Sequence, residues 1–171
     1  MKTITNCNDK VHPSVDKKKS VVFRCDTIGY MGDDSDSIVL YSDGALVRYI
    51  YDCQNTLLSE QQIQTKTELV NTIRRLARDY KAQLNELPRS LYNPFILDGA
   101  DHKIQIGRMK FGGPNILTTK IKEEDYTPDS EPFGHGAEWI RDLARFQKIF
   151  EHFRKAINES VGVEVIRICG E

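Results

Sequence analysis

Histidine is the first side chain to weigh for chemistry, because its pKa lies near neutrality. His135 sits in Phe133-Gly134-His135-Gly136, immediately before a long amphipathic stretch. Flanking glycines let a ligand approach the backbone, and the first amides of a helix attract anions. A small-molecule enzyme or ligand-binding site centred on His135 is therefore one reading. Against it, Glu138 would set its own carboxylate in the helix's first turn, and no nearby motif offers a nucleophile or second base. A hinge or cap with an incidental histidine is preferred, and no catalytic residue is assigned. His12, His102 and His152 match no sequential zinc spacing, and Cys7, Cys25, Cys53 and Cys169 are widely separated with no C-x-x-C pair. No metal or cofactor is expected. A Cys–His pair assembled from distant residues has no positive support in the sequence.

The carboxylates fall into two groups. Gly32-Asp33-Asp34-Ser35-Asp36-Ser37 is acidic and turn-rich, and its oxygens would suit a hard cation. The calcium-loop pattern fails, however: counted from Asp34, position 5 is Ile38 and the required glycine is missing. Glu123, Glu124, Asp125, Asp129 and Glu131 crowd a stretch broken by Pro128 and Pro132. That stretch reads as a projecting contact surface or as an ordinary solvated connection. The expected partner contacts are Asp33, Asp34 and Asp36 with these five acids.

The elements that must carry these groups are read from periodicity. From Gly136 to Asn158, Trp139, Leu143, Phe146, Phe150, Phe153 and Ile157 recur every three or four residues, the mark of a helix with one buried face. Thr65-Lys66-Thr67-Glu68 has the form of a capping box and predicts a helix running to about Leu87, before Pro88. Its stripe is Leu69, Ile73, Leu76, Tyr80 and Leu84, with Arg74, Arg78 and Lys81 on one flank. Strands are predicted at Val21–Cys25, at Ile38–Tyr41 and Leu46–Tyr51 about an Asp43-Gly44 turn, and in several short runs between Tyr92 and Leu117. Val161 to Ile168, apolar on both faces, predicts a closing central strand. The expectation is a flexible tail over 1–19 and one α+β domain over 20–171, in the order β-β-β-α-β-β-β-α-β. A mainly antiparallel twisted sheet would be packed by two amphipathic helices.

At 171 residues the chain can bury a core without staples, roughly 70% of its unfolded surface. Its 24 basic and 25 acidic residues leave a net charge of −1, so no global field draws in nucleic acid or an anionic membrane. The Arg74, Arg78 and Lys81 flank has no interleaved aromatics for base stacking, which excludes nucleic acid as the lead partner. No apolar run approaches a membrane span or a secretory signal, and the expected location is cytoplasmic. The chain is expected to be a monomer, or a homodimer if the Trp139–Ile157 stripe packs on its twin.

The succession Tyr92-Asn93, Asp98-Gly99, Ile104-Gln105-Ile106-Gly107 and Asn115-Ile116 resembles a turn-and-strand pattern of small bacterial proteins. Some of these look like immunity proteins encoded beside polymorphic toxins. The resemblance covers about thirty residues and transfers no functional residue. It implies a non-enzymatic protein-binding module that neutralises a cognate toxin, such as a basic toxin domain, for which acidic loops would be complementary.

Overall fold

The computed structural model describes residues 19–29, 32–96, 99–122, 124 and 136–168. The fold is α+β, as expected: one six-stranded antiparallel sheet with helices packed on it. The elements are β1 (Val21–Ile28), β2 (Ser35–Tyr41), β3 (Leu46–Tyr51), β4 (Leu57–Ile63), α1 (Leu69–Asp79), α2 (Lys81–Glu86), β5 (Asp101–Ile106), β6 (Met109–Pro114) and α3 (Gly136–Val161). Strand order across the sheet is β4-β3-β2-β1-β5-β6.

The long helix does what its stripe requires. Leu143, Phe146, Phe150, Phe153 and Ile157 are fully buried. The Phe23 ring on β1 stacks against both Phe150 and Phe153 at 6.2 Å, and Phe111 on β6 meets Phe146 at 5.1 Å. Helix α3 thus clamps the middle of the sheet to one edge. Trp139 is only half-buried and sits edge-on to Tyr92 at 4.9 Å. Helices α1 and α2 add Leu69, Val70, Ile73 and Leu84 to the same core.

The opposite sheet face holds a smaller cluster of Val39, Tyr41, Val47, Tyr49 and Tyr51. Tyr41 and Tyr49 join hydroxyls at 2.9 Å, so cross-strand packing explains this tyrosine-rich hairpin. Beside it Asp26 is buried. Arg24 Nε donates to both its oxygens at 2.7 and 2.8 Å, and Ser37 Oγ donates at 2.7 Å. A buried carboxylate needs such donors, since leaving it unpaired would cost about 3–5 kcal/mol.

Several local details differ from the sequence expectation. The first helix starts at Leu69 behind Glu68, which makes no side-chain cap, so the Thr65–Glu68 box lies too far upstream to form. That helix also breaks at Tyr80 into α1 and α2. Leu87 is extended (φ −81°, ψ 143°), as the residue before Pro88 should be. Leu91 to Ile96 is irregular rather than a strand. Asn93 and Asn115 bind it to the 115–118 turn instead: Asn93 Nδ2 donates to the Asn115 carbonyl at 3.1 Å, and Asn115 Nδ2 donates to that of Ile96 at 3.3 Å.

The expected closing strand is absent. After Gly162 (φ 85°) the chain folds back on α3. There Asn158 accepts from the amides of Val165 and Ile166 at 3.0 and 3.1 Å and donates to the Ile166 carbonyl at 2.9 Å. One amide side chain replaces a sheet ladder, while Ile166 and Ile168 still reach the core. The largest addition is β4, a strand the sequence reading did not contain.

Candidate functional site

A sheet exposes unpaired N–H and C=O groups at both edges, and folds guard them with covering chain, proline, lysine or strong bulges. The β6 edge is guarded. Segment 89–91 runs beside it, with the Leu91 amide donating to the Gly112 carbonyl at 2.9 Å and the Gly112 amide donating to that of Arg89 at 3.0 Å. Pro114 ends the strand without a donor, and a Cβ on Gly113 would lie 1.8 Å from the Leu91 carbonyl oxygen. That backbone approach fills the edge.

The β4 edge is built differently. Asp52 sets up the turn before it: its Oδ1 accepts from the amides of Gln54 (2.9 Å) and Thr56 (2.7 Å), and Asn55 takes φ 70°. This side-chain-capped turn delivers Leu57–Ile63 into register with β3, Tyr49 opposite Glu60 and Val47 opposite Gln62. Six of the seven residues are exposed, including Leu57 at 40% and Leu58 at 56%. The strand has no proline and no lysine or arginine; its one bulge falls at the Leu57 end. Among the described residues no main-chain hydrogen bond reaches its outer side. Every second residue of an antiparallel edge turns its amide and carbonyl outward, so about three residues of β4 present both groups to a partner.

The surroundings give this edge chemical character. A cleft of about 900 Å³ opens at the C-terminal end of β4, lined among others by Tyr41, Tyr49, Glu60, Gln62, Ile63 and Lys66. Burial, first, and the hydrogen bond to Tyr41 push the Tyr49 hydroxyl well above its usual range, so Tyr49 stays neutral. Lys19 is matched with Asp43 at 2.8 Å in the same wall. Glu60, exposed in mid-strand, makes no ion pair among the described residues.

The expected acidic contacts divide. Asp33 and Asp34 are exposed, on the connection into β2. Ser35 pairs with Tyr51 and Tyr51 with Leu57, so these acids lie at the end of the sheet where β4 begins, about 10 Å away across two strand spacings. Asp36 is partly committed to Arg48, whose Nε donates to both its oxygens at 3.0 and 3.1 Å. Glu124 is exposed and 3.7 Å from Lys122. Glu123, Asp125, Asp129 and Glu131 lie outside the described residues, as does His135.

No protein-family model matches the chain, and no curated protein or solved structure matches it either. The functional reading therefore rests on the geometry.

The titratable groups that sequence could not position turn out to be structural. The Cys25 thiol is buried, and desolvation, then Asp26 and Asp36, push its pKa far up, the reverse of a nucleophile's environment. His102 is buried with Nδ1 unpartnered, and desolvation lowers its pKa to about 4. His152 is exposed and stacks on Tyr80 at 5.0 Å. Among the described residues no His, Cys, Asp and Glu gather as a metal site.

Sequence reasoning missed β4 because an exposed edge strand carries no apolar alternation. Asp52 and Asn55 were the available signal, since both types favour side-chain-bonded and left-handed turns.

Proposed function

We propose that the chain is a non-enzymatic protein-binding module that takes up an extended segment of its partner along β4, and that its biological role is neutralisation of a cognate toxin. The open outer edge of β4, opposite a guarded β6 edge, is the observation that carries this reading. Strand addition draws affinity from main-chain hydrogen bonds and specificity from pockets for alternate side chains. Glu60 at mid-strand disfavours symmetric pairing of two β4 strands about their centre, which would oppose two carboxylates. It favours a partner strand with a cation at that position. Asp33 and Asp34 extend the same preference, in keeping with a basic toxin domain.

The test is titration against the protein encoded by the neighbouring reading frame. Leu58→Lys with Gln62→Lys, two exposed changes that guard an edge, should weaken binding at least tenfold, about 1.4 kcal/mol or more, with thermal unfolding unchanged. Charge reversal at Glu123, Glu124, Asp125, Asp129 and Glu131 should lower the association rate and flatten its salt dependence. Full affinity in the lysine variant would remove β4 from the interface.

A further inference from the structure

A second surface lies away from β4. The β5–β6 turn, at Gly107 with φ 59°, is held from two sides: the Gly107 amide donates to the Val22 carbonyl at 2.9 Å, and Gln105 Nε2 donates to the Gly107 carbonyl at 2.8 Å. The turn therefore presents Arg108, and the start of β6 presents Lys110, from fixed backbone. Helix α1 brings Arg74 to the same place. Together they line an open cleft of about 740 Å³ with Gln105 and the start of β1. Among the described residues no acidic side chain lines it. Arg24, Arg48, Arg154 and Arg167 each meet a carboxylate, but Arg74, Arg108 and Lys110 make no ion pair among the described residues. Like charges gathered without counter-charge repel, and a bound anion relieves that repulsion.

We propose that this cleft binds the phosphoryl groups of a small phosphorylated ligand. Two guanidiniums offer planar forks that fit phosphate oxygens, and the lysine adds a point charge. Three cations match a group carrying two or more negative charges better than a single carboxylate. The space exceeds one phosphate, so an oligophosphate or a phosphate ester fits it. Among the described residues no aromatic ring lines the cleft for base stacking, which favours a small ligand over single-stranded nucleic acid. Sequence reading grouped Arg74 with Arg78 and Lys81 along one helix flank; the fold regroups it with Arg108 of a distant turn.

Tripolyphosphate is the probe, titrated at low salt into the full chain while amide resonances are followed. Saturable shifts centred on Gln105–Lys110 and the first turns of α1 are expected. Arg74→Gln with Arg108→Gln should weaken binding at least tenfold. Arg78→Gln with Lys81→Gln should leave it within twofold. Arg74, Arg78, Lys81 and Arg108 are all exposed, so unfolding midpoints serve as the folding control. Equal weakening by both pairs would show a diffuse field rather than a site and overturn the proposal. So would absence of saturation, or at least tenfold tighter binding of a ten-nucleotide oligothymidine than of tripolyphosphate.

Discussion

Burial decides the meaning of individual residues here more than their chemical type. His102 carries a titratable ring but sits in the sheet with Nδ1 unpartnered and its pKa lowered to about 4 from 6.5. The native state holds it neutral, while the unfolded chain takes up a proton below about pH 6.5. Between those values the unfolded state binds more protons, so stability falls as pH drops through this window and is independent of His102 above it. The loss by pH 4 is of the order of 3 kcal/mol. Unfolding free energies at pH 7.5 and 4.5 for the native chain and His102→Gln should show a smaller acid loss in the variant. Equal losses would assign acid sensitivity to other groups. Gln147 makes the converse point. It lies on the buried side of α3 and ties down the 116–121 connection, accepting from the Ile121 amide and donating to the Ile116 and Thr119 carbonyls, all at 2.8 Å. Gln147→Leu should cost about 2–3 kcal/mol in denaturant unfolding, because two buried main-chain groups, at Ile116 and Ile121, and the part-buried Thr119 carbonyl lose their partner. A loss below 0.5 kcal/mol would mean that water replaces it freely.

Elements were legible where burial imposes a period. The α3 stripe and the Asp43-Gly44 hairpin were readable because one face of each must enter a core, and that face repeats at the helix or strand spacing. Strand β4 was not readable, since with its residues mostly exposed nothing selects alternation. The 161–168 segment misled for a related reason. Ile166 and Ile168 are buried although Val163 is exposed, but Asn158, rather than a neighbouring strand, satisfies the backbone at Val165 and Ile166, and that substitution leaves no trace in hydrophobic pattern. Of the expected site, Asp33 and Asp34 are exposed as the acidic loop suggested, while Asp36 has an internal partner in Arg48. Replacing Leu58 and Gln62 by lysine tests the element whose existence only the fold revealed.

The whole molecule is asymmetric in two respects. Helices cover one sheet face, and chain covers one edge. Charge is also divided along the strands. Thr27 pairs with Asp36 and Val21 with Tyr41, while Phe23 pairs with Ile106; the Asp33–Asp34 connection and the Arg108 turn therefore lie at opposite ends of β1, about 25 Å apart. Among the described residues no helix is long and apolar enough to cross a membrane. A nearly neutral chain can thus present an acidic end to one partner and a basic end to another. The central claim is that β4 receives a partner's strand, and hydrogen exchange reads that directly. In the complex with the neighbouring gene's product, the outward amides of Leu57–Ile63 should slow by at least a hundredfold, with β6 unchanged. Slowing confined to other segments, with β4 exchanging as fast as in the free chain, would contradict it.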